Sequence, residues 1–381
     1  MNTAAPQIKT GAGVPVEWSD LAVRVFPPTA LLHRPGSATL ALQYVVVMPP
    51  RRILKDEPKT SCFHFPKPAE APKYRHVNQG WYPSMQISDR YLGLLKNALL
   101  NEIYIENDVR LLYVFATLHT GQNIDLEVFR NVASRLPELV TRVKAARQEG
   151  RIWWLVDFKN PDGNNGTLDL RNVCEFSHTM VGRKRLDNIE NCLATIRKDN
   201  VPGDVAETGA WRGGAAIFMK GCLTAWGMQD RTVWVADSFE GLPIPSLPED
   251  AGYDFSATKV PILAVGLEEV QENFRRYDLL DDKVKFLKGW FRDTLHVAPI
   301  RELALLRLDG DLYESTMDSL KALYDKVSPG GFIIVDDFND FEPCRRAVLE
   351  FRQLHGIKDP IEAVDWTGVF WRKSGKRRWR W

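Results

Sequence analysis

Two short apolar runs, Leu303–Leu308 and Gly331–Val335, each end in a pair of carboxylates, and nothing else in the chain constrains it as much. Asp309 and Asp311 follow the first run; Asp336 and Asp337 follow the second. Between the runs, Met317, Leu320, Leu323 and Tyr324 recur at helical spacing, and a Ser-Pro-Gly-Gly stretch closes the helix. The pattern reads strand–helix–strand. A short crossover helix links neighbouring parallel strands with a right-handed turn. Ligands of open α/β sheets sit beyond the carboxyl ends of the strands. The unit therefore predicts four carboxylates gathered at one crevice.

Other segments extend the same pattern upstream. Residues 204–208 (DVAET) read as a first strand, 232–239 (TVWVADSF) as a second and 283–291 (KVKFLKGWF) as a third. The first leads through the glycine-bearing turn of residues 209–214 (GAWRGG) into a helix. Residues 240–262 form a long loop, a candidate lid or substrate loop. After the fifth strand come a helix from Cys344 and a closing hairpin about Thr367 and Gly368. The pattern turns helical from Ile87, with an apolar face through Tyr91, Leu95 and Leu99, and again over about 109–148 with a break at Pro137; residues 178–198 begin as a loop and become an amphipathic helix through Leu186, Ile189, Leu193 and Ile196. The leading residues 16–50 read as β, with a Pro-Gly hairpin turn. The expected organisation is an accessory β-containing region over 1–85, a helical cap or dimerisation region over 86–177, and an α/β domain over 178–375.

Composition excludes several classes. The 381 residues carry a formal charge of only +1, which gives no basis for nucleic-acid or membrane binding. No apolar run approaches the ~20 residues of a membrane helix. No secretory leader pattern opens the chain. Five scattered cysteines with no Cys-x-x-Cys pair support neither a disulfide framework nor a zinc site. A cytoplasmic protein is expected.

The glycine turn after the first strand marks a cofactor site, because glycines let the backbone approach a ligand and the following helix offers free N–H groups. It is not the Gly-x-Gly-x-x-Gly of a dinucleotide site, which argues against a nicotinamide dehydrogenase. Glu207 precedes the turn. Asp237 closes the second strand, where a carboxylate can accept the ribose hydroxyls of a nucleoside. Trp290 and Phe291 either wall a purine pocket or belong to the core. Hard divalent cations take carboxylate oxygens, and Mg²⁺ in particular binds through a few carboxylates plus water and substrate. Asp309, Asp336 and Asp337 suit that. The competing account is that Asp309 or Asp311 merely caps the helix that follows.

These residues carry a family resemblance. HTMVGRKRLDN, VPGDVAETGAWRGGAAIFM, DRTVWVADSFEGLP, LRLDGDLYESTMDSL, SPGGFIIVDD and DWTGVFWRK together make residues 178–373 resemble the macrocin O-methyltransferase family, which methylates sugar hydroxyls of antibiotics. Residues 91–106 resemble that family's leading helix; residues 1–85 lie outside its pattern, and about 110–142 reads as an insertion. The resemblance implies the α/β fold of class I S-adenosylmethionine (SAM)-dependent methyltransferases, with a mostly parallel seven-stranded sheet, and it implies Mg²⁺. It implies that Asp309, Asp336 and Asp337 are metal ligands and Asp311 the general base. It implies SAM contacts from Glu207, Thr208, Gly209, Asp237, Ser238, Asp309, Thr179 and Met180. A small glycosylated acceptor and a homodimer or larger homo-oligomer are expected with it. Phe338, where the family commonly has Tyr, departs from the pattern near the expected acceptor. Two other functions stay open at this point: methylation of a catechol or other phenol, and a non-catalytic SAM-binding partner subunit.

Overall fold

The computed structural model describes residues 22–26, 86–119, 123–149, 153–159, 165–170 and 177–375. The expected hairpin within 16–50 lies outside them, as do residues 160–164 of the NPDGNNG stretch (160–166), whose composition reads as a turn-rich loop.

Strand β1 (Ala22–Phe26) pairs antiparallel with β2 (Trp153–Lys159), which pairs antiparallel with β3 (Asn165–Leu170). The last two were not anticipated in a segment read as helical. Ahead of them come α1 (Ile87–Leu99), α2 (Ile105–His119), α3 (Leu126–Arg130), α4 (Val132–Arg135) and α5 (Pro137–Glu149). The break expected at Pro137 is real, and the proline opens α5, where its missing N–H costs nothing. The leading helix is shorter than expected: α1 stops at Leu99, and Asn101 turns the chain with a positive φ of 55°. Val109, Leu112, Val132 and Val143 form a separate apolar cluster among α2, α4 and α5.

The main sheet runs through β4 (Asp204–Thr208), β5 (Val233–Asp237), β6 (Val284–Lys288), β7 (Leu303–Leu308), β8 (Val327–Val335), β9 (Glu362–Ala363) and β10 (Val369–Arg372). Their spatial order is β6-β5-β4-β7-β8-β10-β9. All pairings are parallel except those of β10 with β8 and β9. This is the mostly parallel seven-stranded sheet of the class I methyltransferase fold. The order reverses between β4 and β7, the switch point at which a crevice opens beyond the strand ends.

β7 is buried along its whole length because helices cover both faces. One face packs Leu305 and Val205 against α1, α6 (Arg183–Lys198), α7 (Gly214–Ala225) and α8 (Leu267–Arg276). The other packs Leu306 and Ile333 against α10 (Tyr313–Leu323) and α11 (Glu342–Leu354), with the short α9 (Phe291–Thr294) between α8 and α10 in the chain. The Ser-Pro-Gly-Gly stretch expected to close the α10 helix is instead part of β8. There Gly330 takes a positive φ of 86°, and α10 ends through a short 3₁₀ turn at Tyr324–Lys326. The expected departure at Phe338 is a packing feature, since its ring is buried in the α10–α11 cluster with Arg345 above it.

Leu305→Ala and Leu306→Ala, one on each face of β7, are each expected to cost about 2–5 kcal/mol. Leu94→Ala, at an exposed position of α1, is expected to stay within about 0.5 kcal/mol. Urea unfolding measures all three.

Candidate active site

The parallel register places the acidic strand ends side by side. Thr208 of β4 lies beside Leu308 of β7, and Leu308 beside Val335 of β8, so Asp309 and Asp336 emerge together. One carboxylate oxygen from each of Asp309, Asp336 and Asp337 lies within 4.8 Å of the others. Asp311 joins them, its carboxyl hydrogen-bonded to that of Asp337.

The cluster is not uncompensated, as its acidic residues alone imply. Arg307, buried inside the apolar run of β7, reaches three strand ends. Its guanidinium donates to Glu207 at 2.6 Å, to Asp309 at 2.7 Å and to Asp336. Arg185 on α6 donates to Asp336 and, at 2.8 Å, to Asp365 in the β9–β10 turn. Sequence patterning missed both arginines. The signal for Arg307 was a lone charge, next to last in a six-residue buried strand.

Charge and burial divide the carboxylates. Burial pushes Glu207 up to about 8, against the pull of Arg307. Burial likewise lifts Asp309 to about 6. Burial and the neighbouring negative charges drive Asp311 and Asp337 well above the usual range. Burial would raise Asp336 too, but Arg185 and Arg307 together pull it below its ordinary value. Two arginines thus leave Asp311 and Asp337 in need of a shared proton or a further cation. The Asp337 Oδ2 atom is buried without a hydrogen-bond partner among the described residues. An all-oxygen set with an unsatisfied buried member fits a hard divalent cation.

The capping alternative fails on geometry. The first amides of α10 belong to Asp250, whose carboxylate accepts from Tyr313 N at 2.6 Å and Glu314 N at 3.1 Å. Asp309 and Asp311 are left to the crevice. Asp311 itself takes a positive φ of 59°, uncommon outside glycine.

The glycine turn is built for close approach. Gly209 has φ 95°, and a methyl there would collide with the Asp309 carbonyl, so this turn touches the acidic cluster. A methyl on Gly214 would collide with His178 and Thr179, which lie over the start of α7. That places Thr179 and the adjoining Met180 beside the turn. His178 anchors the segment through Nδ1 to the Tyr277 hydroxyl at 2.7 Å and through its amide to the Leu99 carbonyl at 2.9 Å. The oxygens of Asp237 accept from Ala210 N at 2.6 Å and Phe239 N at 2.7 Å, which ties β5 to the turn. The Ser238 hydroxyl donates to the Gly241 carbonyl at 2.6 Å, so its side chain shapes the next turn. Glu207 Oε2 and Thr208 Oγ1 are buried without hydrogen-bond partners among the described residues. Unsatisfied acceptors beside a glycine turn at the switch point fit a bound nucleoside cofactor. Phe291 lies against Gly310, next to Asp311, so of the two aromatics weighed as a purine wall it borders the acidic side of the crevice.

The family model for macrocin O-methyltransferases matches residues 88–373. The chain belongs to the macrocin O-methyltransferase family. It is an O-methyltransferase by that membership, with the SAM-dependent fold of class I. It is similar to an 8-demethyl-8-(2,3-dimethoxy-alpha-L-rhamnosyl)-tetracenomycin-C 4'-O-methyltransferase of Streptomyces olivaceus, 53% identical over 56% of this chain and 82% of that protein. It is similar to a demethyldecarbamoylnovobiocin O-methyltransferase of Streptomyces niveus, 52% identical over 52% of this chain and 76% of that protein. Among solved structures it is similar to the O-methyltransferase NovP, with 41% identity, a TM-score of 0.58, and coverage of 75% of this chain and 99% of that one. No helix among the described residues is long and apolar enough to cross a membrane.

Arg307→Met in this macrocin O-methyltransferase family member leaves Glu207, Asp309 and Asp336 facing one another. It is expected to cost about 3–5 kcal/mol. Adding Glu207→Gln is expected to recover part of the loss, read as a double-mutant cycle by denaturant unfolding.

Proposed function

We propose that this protein transfers the SAM methyl to a sugar hydroxyl of a glycosylated natural product. Asp309, Asp336 and Asp337 hold a divalent cation, Mg²⁺, and Asp311 acts as general base. The observation that carries the reading is the meeting of those four carboxylates at the switch point beside the glycine turn. The choice of a sugar hydroxyl is supported by the relatives, whose names specify a rhamnosylated tetracenomycin, demethyldecarbamoylnovobiocin and mycinamicin III.

In the transfer an oxygen–carbon bond forms as the carbon–sulfur bond of the sulfonium breaks, and the hydroxyl proton must leave. A sugar hydroxyl is a poor nucleophile at neutral pH. A bound divalent cation supplies stabilisation of negative charge on an oxygen beside it. Asp311 takes the proton at a carboxylate oxygen, and a positioned base contributes roughly 10²–10⁴-fold. Its neighbour Asp337 fixes the orientation of that carboxyl. Arg185 and Arg307 hold Asp336 ionised and aligned. The turn at Gly209, with Glu207, Thr208 and Asp237 around it, Ser238 next to Asp237 and the Thr179–Met180 segment over α7, binds SAM. Holding sulfonium and acceptor in line is worth at best about 7–11 kcal/mol. A cytoplasmic location and a homo-oligomer belong to the same proposal and rest on the amino-acid sequence.

Asp311→Asn is expected to lose about 10²–10⁴-fold in turnover on demethyldecarbamoylnovobiocin or a rhamnosylated aglycone, with SAM affinity unchanged by calorimetry. EDTA is expected to abolish methyl transfer and Mg²⁺ to restore it, while Asp336→Asn raises the Mg²⁺ concentration required. Full activity in EDTA contradicts the metal assignment.

A further inference from the structure

Asp250 lies on the long loop between β5 and α8, 61 residues ahead of Asp311 in the chain, yet it closes the turn that carries Asp311. Its side chain is buried, and its two oxygens accept the amides of Tyr313 and Glu314. Those are the first amides of α10, which no residue of its own chain end caps, since Leu312 occupies that position. Immediately before them the backbone makes an unusual bend. Leu312 N donates to the Gly310 carbonyl at 2.6 Å across Asp311, whose φ is 59°. A three-residue turn with positive φ at its centre is the strained γ-turn. Strain of this kind persists only where the surroundings over-determine it. Here the surroundings are Ser315, whose hydroxyl donates to the Gly310 carbonyl, and the Asp250 cap.

The loop is fastened near its middle and towards its α8 end. Near Asp250, Ser246 donates to Glu314 at 2.9 Å, and Glu249 pairs at 3.5 Å with Arg346, which lies over the Tyr313 ring. At the far end the Trp211 indole donates to the Ile262 carbonyl at 2.7 Å, and Trp211 belongs to the glycine turn. The loop thus spans from the cofactor turn to the base turn.

We propose that Asp250 is a positioning residue: by capping α10 from the loop it holds the strained turn at Asp311, so the base is in place only while the loop is docked. This rests on Asp311 being the base, and deepens that reading by assigning the loop the task of setting it. A docked loop then couples binding at the cofactor turn to placement of the Asp311 carboxylate.

The test uses the full chain and two readouts. Hydrogen exchange of the peptide spanning residues 309–316 needs no acceptor; kcat is read with demethyldecarbamoylnovobiocin as the acceptor probe. Asp250→Ala is expected to speed exchange at Tyr313 and Glu314 about tenfold, and to cut kcat on the order of 10- to 100-fold with KM for SAM unchanged. Asp250→Asn keeps one acceptor oxygen, so one amide stays protected and kcat lies between the other two proteins. Wild-type exchange and wild-type kcat in Asp250→Ala overturn the proposal. Should that variant not fold, Asp250→Asn decides, and wild-type exchange at both amides overturns it. An inactive Asp311→Asn beside a fully active Asp250→Ala removes the positioning role alone. A fully active Asp311→Asn removes the base assignment, and the proposal with it, whatever the exchange rates.

Discussion

A single buried guanidinium joins the strand ends on which the site depends. Arg307 pairs with carboxylates that follow or belong to β4, β7 and β8, and the parallel register sets it directly beside Glu207. Burying a charge costs several kcal/mol unless it is paired and hydrogen-bonded. The pairing here adds little to net stability over an apolar strand of the same volume. What it does is fix three carboxylates relative to each other before any ligand arrives. Arg185 extends the network to α6 and to the β9–β10 turn, so Asp336 is held from two sides.

Two arginines against six carboxylates, counting Asp365, leave the crevice rich in negative charge. The excess falls on Asp311 and Asp337, the pair furthest from arginine help, which share a hydrogen bond between carboxyls. A cation bound at the cluster would relieve that repulsion, and under the proposed function it would leave Asp311 able to accept a proton. The same crevice meets the glycine turn where Gly209 backs onto the Asp309 carbonyl. The acidic cluster and the glycine turn therefore meet backbone to backbone at Gly209 and Asp309.

The sheet and the acidic cluster were legible in the sequence because both follow from local rules. Apolar runs of strand length separated by helical spacing give a parallel sheet, and a carboxylate after each run then lands at the crevice. Asp309, Asp336 and Asp337 are found that way. Arg185 and Arg307 were not, since an arginine in an amphipathic helix or an apolar run does not announce partners on other strands and turns. The cap on α10 was missed for a similar reason: only its neighbours Asp309 and Asp311 were weighed as rival caps, and Asp250 arrives from a distant loop. The Ser-Pro-Gly-Gly stretch reads as a stop, yet it forms the irregular part of β8 between Val327 and Phe332, both paired with β7, and its glycines bond to Lys373 just past β10. Strands β2 and β3 pair with each other at short range, but the reading of 86–177 as a helical cap with a loop at 160–166 passed over them.

The central claim is that the cluster built around Arg307 is a divalent-cation site. Anomalous diffraction from crystals grown with Mn²⁺ and S-adenosylhomocysteine tests it most directly. The account predicts one anomalous peak bonded to oxygens of Asp309, Asp336 and Asp337 at about 2.1 Å, with both arginine pairs intact. An ordered cluster showing no such peak at saturating Mn²⁺ would contradict it.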